Sequence, residues 1–206
     1  MSRRYRPNMR ALQTPDLRVP VLILLLFLIS TLSIFASAAS GGGAGDDPNP
    51  LQPPATSSPH DTLHSFLNNA NQVAEKKRQL GGAFDAASYQ VLRRAAHTMD
   101  FSATPHGDDW SERILRVALL HEVLGRVALP PEAQIPDEKA ATDSGLTNWS
   151  IPGTKIRIER IETGPRAGEF LFSAETVAAA DRLYRRAKQL PYRADATPGV
   201  YERIAS

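Results

Sequence analysis

Thr154-Lys155-Ile156-Arg157-Ile158-Glu159 is the stretch on which the fold turns, because here the apolar residues change from helical spacing to strict alternation. Thr154, Ile156 and Ile158 point one way while Lys155, Arg157 and Glu159 point the other, as in a half-buried strand. Ile161 falls on the polar side, so a bulge or the strand's end is expected there. Gly164-Pro165-Arg166-Ala167-Gly168 then reads as a tight turn, and Glu169-Phe170-Leu171-Phe172 as a short return strand. A two-stranded hairpin of this kind is marginal in water unless another surface covers its apolar face. The next segment offers that surface. Ser173 caps a helix that turns Val177, Ala180, Leu183, Tyr184, Ala187 and Leu190 inward, with Asp181 and Arg185 as a supporting pair.

Upstream the pattern is helical. Ser58-Pro59-His60-Asp61 is a helix start, with Ser as cap, Pro at the first helical position and Asp at the positive end. Leu63, Phe66, Leu67, Ala70, Val73 and Ala74 follow at helical spacing until Gly81-Gly82 stops them. A second helix is expected from Asp85 to Met99, with Tyr89, Leu92, Ala96 and Met99 inward and Arg93-Arg94 outside. A third begins near Asp109 or Ser111, carries Ile114, Val117, Ala118, His121 and Leu124 on its apolar stripe, and ends by Pro130-Pro131. Three apolar stripes joined by short loops predict a bundle with a shared core. The fold class expected is therefore α+β: mainly a helical bundle, then a two-stranded hairpin packed on a C-terminal helix.

The amino end has a different character. Arg3, Arg4, Arg6, Arg10 and Arg18 form a positive region, Val21–Ile29 is nine unbroken apolar residues, and Ala36-Ser37-Ala38 supplies a small-residue cleavage pattern. Residues 1–38 thus read as a signal peptide. An uncleaved anchor over residues 19–39 is the competing reading, since Val21–Ala39 approaches the roughly 20 residues that span a bilayer. Either one places the remainder in the periplasm, with the anchored form held at the inner membrane. Residues 39–57 are Gly, Ser, Pro, Asp and Asn with hardly a core former, and read as a disordered linker. The expected division continues with a helical subdomain over 58–131, a linker over 132–148, and a hairpin-plus-helix subdomain over 149–206.

Charge excludes one class of partner. The whole chain of 206 residues carries a net +2, but Met1–Ala38 holds five Arg and one Asp, leaving 19 basic against 21 acidic residues beyond it. Nucleic-acid binding needs a positive footprint on the folded part, and none is expected here. With no Cys, thiolate metal sites, disulfides and thiol nucleophiles are excluded as well.

One run of residues points to a family. Trp149-Ser150-Ile151-Pro152-Gly153-Thr154, then Gly164-Pro165-Arg166-Ala167-Gly168-Glu169-Phe170-Leu171-Phe172-Ser173 and Glu175-Thr176-Val177, resembles the extracytoplasmic N-terminal region of bacterial small-conductance mechanosensitive ion channel proteins. The likeness extends through Leu190-Pro191-Tyr192 to Tyr201 and, more loosely, back to Ser58-Pro59. In that family the region precedes pore-lining transmembrane helices, which are not found after Tyr201 in this sequence. What the resemblance implies is a non-catalytic module without a pore, docking on a membrane channel subunit or on itself in an osmotic-stress response. The alternative is a soluble periplasmic ligand-binding or structural domain unrelated to gating.

Candidate chemistry is sparse. His60 and His64 stand at i and i+4 on one helix face, the spacing of a metal site, but no third ligand is near in sequence, and they read as surface histidines at a helix start. His121 lies on an apolar stripe and reads as a satisfied, partly buried His; Asp108 and Asp109 read as helix caps. No nucleophile elbow, phosphate loop or dinucleotide fingerprint occurs, so neither an enzyme nor a cofactor or metal is expected. Glu159, Arg160, Glu162, Arg166 and Glu169 cluster about the hairpin, either as a solvated face or as an interaction surface. Arg166 is either simply exposed or the tip of a contact to a partner's carboxylate. Pro152, Gly153, Gly164, Pro165, Gly168, Phe170, Phe172 and Ser173 are expected to shape the hairpin itself, the glycines by adopting positive φ.

Overall fold

The computed structural model describes residues 52–79, 85–197 and 201, all within one compact unit, Asp47–Ser206. The expected signal segment or anchor, residues 39–51 of the linker, and Gly81-Gly82 lie outside the described residues. The unit is α+β, and among the described residues no helix is long and apolar enough to cross a membrane.

Helix α1 (Pro59–Gln79) starts where its signals place it: Ser58 Oγ accepts the Asp61 amide at 3.1 Å, and Pro59 takes the first helical position. Its inner stripe, Leu63, Phe66, Ala70, Val73 and Ala74, is buried. Helix α2 (Ala86–His97) is capped by Asp85, which accepts the Ser88 amide at 2.7 Å. Tyr89 was expected inward but is 45% exposed. The buried stripe is Ser88, Leu92, Ala95 and Ala96, one residue round the helix, because the Ser88 hydroxyl donates to Asp85 at 2.6 Å and so enters the interior satisfied. Helix α3 (Trp110–Leu124) is capped by Asp109 and buries every residue from Val117 to Leu124. Packed by α1 and α2 and by the C-terminal helix, it is the central rod of the unit.

The segment 132–148, expected as a linker, is docked. It forms a 3-10 turn, Glu132–Gln134, and helix α4 (Glu138–Asp143), capped by Asp137. Ile135 and Ala141 are buried, α4 packs on α1, and the His60 amide donates to Pro136 O at 3.1 Å. Three apolar side chains, Ile135, Ala141 and Leu146, pack on the core and hold an otherwise polar stretch against it. Residues 52–57, expected to be disordered, are likewise engaged: Thr56 is buried, its carbonyl accepts the Phe170 amide at 2.7 Å, and Gln52 O accepts Arg94 Nη1 at 2.6 Å.

The sheet has three antiparallel strands in the order β1-β2-β3, where a two-stranded hairpin was expected. Strand β1 (Asn148–Ser150) pairs with β2 (Arg157–Arg160) in the register Trp149↔Ile158, and β2 pairs with β3 (Phe170–Phe172) in the register Ile158↔Phe172. The added strand follows from Pro152-Gly153: Gly153 sits at φ +71°, and the Ile151 amide donates to Ile156 O at 3.0 Å, folding β1 back onto β2. Thr154 and Lys155 belong to that turn, so β2 begins later than the alternation suggested, although Ile156 and Ile158 do bury together. The second turn behaves as read, with Gly164 at φ +88° and Gly168 at φ +94°.

Phe170, Leu171 and Phe172 are all buried. The face holding Phe172 rests on α1, where the ring meets Phe66 edge-on at a centroid distance of 5.2 Å. The expected cover, one helix running from Ser173 to Leu190, is instead two: α5 (Ala174–Ala178) and α6 (Ala180–Ala187), broken at Ala179. Ser173 caps α5 as expected and its amide donates to Arg157 O at 2.9 Å, fixing α5 to β2, whereas α6 packs on α3. Leu190 lies beyond the helix and is 49% exposed. One apolar cluster contains α1, α2, α3, the buried side of the sheet, Val177 and Ala187, so the helical and sheet parts share a core.

Candidate functional site: an open cleft and a histidine cluster

Two loops meet beside the end of α2. Residues 100–109 fold through successive tight turns: the Asp100 carboxylate accepts the Ser102 amide at 2.9 Å, Gly107 N donates to Thr104 O at 3.0 Å, and Asp109 N to His106 O at 2.8 Å. Gly107 is required here, since a Cβ would lie 2.6 Å from Phe101 O. Opposite stands the β2–β3 loop. Between them opens a cleft of about 950 Å³, lined by Arg93 and His97 of α2, Phe101 and Thr104, Trp110 and Arg113 of α3, and Ile161, Pro165 and Arg166 of the sheet loop. Arg113 is held by the Gly107 carbonyl at 2.6 Å and lies over the Phe101 ring at 5.1 Å. Thr104 Oγ1 is buried without a hydrogen-bond partner among the described residues.

The five residues expected to form a hairpin surface do not act together. Arg166 and Glu169 turn inward: Arg166 Nη2 donates to His97 O at 2.6 Å and to Glu169 Oε2 at 2.5 Å, and that same carboxylate oxygen accepts Thr56 Oγ1 at 3.0 Å. The cluster ties the turn to α2 and to residue 56. Burial opposes ionisation of Glu169, but hydrogen bonds from Arg166 and Thr56 outweigh it and hold its carboxyl below the ordinary range. Burial, with the neighbouring Arg166 charge, holds His97 low despite the opposing pull of Glu169. Glu159 pairs with Arg157 along β2, while Arg160 and Glu162 stay exposed. Arg93 and Arg113, the cleft's other basic groups, were missed as site residues because their approach to Arg166 is made by tertiary packing.

Behind the cleft, α3 carries two buried ionisable neighbours. His121 Nε2 lies 2.7 Å from Asn71 Oδ1, and burial drives its imidazole down to about 4, with Glu122 pulling up and Arg126 pushing down. Glu122 accepts the Tyr192 hydroxyl at 2.5 Å, the Tyr201 amide at 3.0 Å and the Arg126 guanidinium. Burial opposes its charge too, and these donors more than compensate, so its carboxyl lies below the usual value. Arg126 stacks over Tyr192 at 3.7 Å. The expectation of a satisfied, partly buried His121 understates the site: the residue is 3% exposed and its Nδ1 has no partner among the described residues.

A pH dependence follows. Unfolded, the His121 imidazole titrates near 6.5; folded, it resists protonation until about pH 4. Between these values the unfolded chain binds a proton that the folded chain refuses, so this contribution is complete above about pH 6.5 and is lost as pH falls toward 4. That interval corresponds to about 3 kcal/mol. Urea denaturation across it should show the decline, and His121→Leu should flatten most of it; an unchanged acid limb in the variant would assign the effect to other groups.

In the first turns of α1 the two i, i+4 histidines meet a third side chain. The His60 and His64 rings face each other with centroids 4.3 Å apart, and the Nε2 atom of each lies 3.3 Å from the same oxygen of Glu132. The three donor atoms fall within 4.8 Å of one another. Burial and the His60 charge hold the His64 imidazole below its ordinary value, against the pull of Glu132 and Asp61. Glu132 stands 72 positions from His60, so local spacing held no sign of it. What brings it here is the burial of Ile135 in the following residues.

No family model, no curated protein and no solved structure matches the chain.

Proposed function

We propose that the chain is a non-catalytic, extracytoplasmic docking module that engages a membrane channel subunit or a second copy of itself, as its resemblance to the N-terminal region of small-conductance mechanosensitive channels implies. The observation that carries this reading is the position of the family-like turn: Ile161, Pro165 and Arg166 form one wall of the open cleft, facing Arg93, Phe101, Trp110 and Arg113. Aromatic and Arg side chains at the rim of a cavity are the groups most used at protein contacts. The lining also holds Asp100 and Asp108, with Arg113 Nη2 3.7 Å from Asp108, so the complementary partner is an apolar anchor flanked by charges of both signs. A non-catalytic role is supported by the occupation of the titratable groups near the cleft, where His97, Arg166 and Glu169 direct their bonds to one another and to backbone.

A photo-crosslinker placed at exposed Arg93 in the full chain tests the proposal in detergent-solubilised membranes. It should yield a discrete adduct with a channel subunit or with the chain itself, weakened by Arg113→Glu and weakened more at low than at high ionic strength. A monomer with no adduct in any membrane fraction would overturn it. A second reading, a small anion bound in the same cleft of a soluble periplasmic domain, is favoured by one observation: the unpartnered Thr104 hydroxyl among the lining residues. Saturable binding of a small dicarboxylate, abolished by Thr104→Val, would select it.

A further inference from the structure

We infer that His60, His64 and Glu132 form a binding site for a zinc-like divalent cation that joins the first turns of α1 to the 132–135 turn. The argument is geometric and independent of the docking proposal. Four ligands around zinc at about 2.0–2.2 Å stand at the corners of a tetrahedron whose edges are roughly 3.3–3.5 Å. The two measured edges, His60 Nε2 to Glu132 Oε1 and His64 Nε2 to the same oxygen, are both 3.3 Å.

Two carboxylates flank the His60 ring. Its Nδ1 lies 3.4 Å from Asp61 Oδ1 while its Nε2 faces Glu132. A neutral imidazole has one N–H, so it serves one carboxylate and turns a lone pair on the other. A cation at the convergence point lets a neutral ring satisfy both sides. Nδ1–H then donates to Asp61, and Nε2 is free as a ligand, the carboxylate–histidine–metal arrangement that fixes ring orientation and raises ligand basicity. Asp61 is itself held in place by the Ser57 hydroxyl.

The donor set names the class of metal. Two imidazole nitrogens and one carboxylate oxygen suit zinc, cobalt, nickel or copper, whereas magnesium and calcium prefer oxygen alone. Side-chain exposures of 28% at His60, 41% at His64 and 70% at Glu132 leave the fourth position to water. The scaffold is already set on both sides. His60 is fixed by its amide bond to Pro136 O at 3.1 Å, and the turn carrying Glu132 is closed by Ile135 N donating to Glu132 O at 3.0 Å, with Ile135 buried.

Calorimetric titration of the full, chelator-stripped chain with Zn²⁺ alone tests the assignment, together with the visible spectrum of the Co²⁺-loaded protein. One ion per chain is expected, with an intense tetrahedral Co²⁺ spectrum and no comparable response to Mg²⁺. Asp61→Asn should weaken zinc by about 10–100-fold through loss of the outer carboxylate, and His64→Ala and Glu132→Gln by at least as much. Glu132 is on an exposed turn, so Glu132→Gln reports on binding even if His64→Ala fails to fold. Absence of stoichiometric zinc binding would overturn the assignment. So would zinc affinity and a Co²⁺ spectrum unchanged in Glu132→Gln, which would move the ion to other histidines.

Discussion

Replacing Glu122 by Met is expected to destabilise the protein by about 3–5 kcal/mol, the cost of leaving a buried charge without its partner. Met keeps much of the volume and removes both acceptor oxygens. Arg126, 4% exposed at its side chain, then has no carboxylate, and the Tyr192 hydroxyl and Tyr201 amide lose the acceptor they share. The loss reaches beyond one ion pair, because Tyr192 and Tyr201 come from the chain after α6, and Glu122 is the atom group that holds both against α3. The double variant Glu122→Met/Arg126→Met should recover a large part of the loss, since an apolar pair of similar volume has no charge to desolvate. Urea denaturation at neutral pH measures both. A single-variant cost below about 1 kcal/mol would mean that water reaches Arg126, contrary to its packing between Glu122 and the Tyr192 ring.

Phe172→Ala should cost about 3–5 kcal/mol, as for large aromatic truncations in closed cores. Phe172 is 0% exposed and stands where three parts of the fold meet. It pairs with Ile158 in the sheet, packs edge-on against Phe66 of α1, and exchanges backbone hydrogen bonds with Thr98 O and Asp100 N. Those backbone bonds survive in the variant and hold the surroundings in place, so the space vacated by the ring cannot collapse. A double-mutant cycle with Phe66→Leu should show a coupling of about 0.5–1.5 kcal/mol for the aromatic pair. A loss under about 1.5 kcal/mol for Phe172→Ala would indicate that α1 can move onto the sheet.

What could be read from the letters was local. Ser58, Asp109 and Ser173 cap the helices they precede as read, since a cap depends on residues two or three positions away, while Asp85, read as the first helical residue, is a cap as well. The stripe from Leu63 to Ala74 is buried as spaced except at Leu67, which is half-buried, and Gly164 and Gly168 take positive φ as their turn required. Where reading failed, a distant partner decided. Asn148-Trp149-Ser150 has too few residues to show alternation, and becomes a strand only because the Pro152-Gly153 turn lays it on β2. Helix α3 is enclosed on all sides from Val117 to Leu124, so its single apolar stripe concealed the interior position of Glu122. Glu132 and Thr56 carry no local sign of the groups they meet, 72 residues from His60 and 113 from Glu169. Arg166 was read at the right place, yet its guanidinium turns to Glu169 and His97 O because those acceptors lie closer than any outside partner.

Strand β3 is the outermost of its sheet, and its free rim is already occupied: Phe170 N by Thr56 O, and Phe172 by Thr98 and Asp100. A bare rim of three aromatic and aliphatic residues would be a template for strand exchange between molecules. Thr56 and the residues that follow α2 therefore share the work of a selvedge, and losing residues 52–57 would lay bare the Phe170 end of that rim alone. A protease cut beyond Thr56 would unpick that end and leave the Phe172 end hemmed by Thr98 and Asp100.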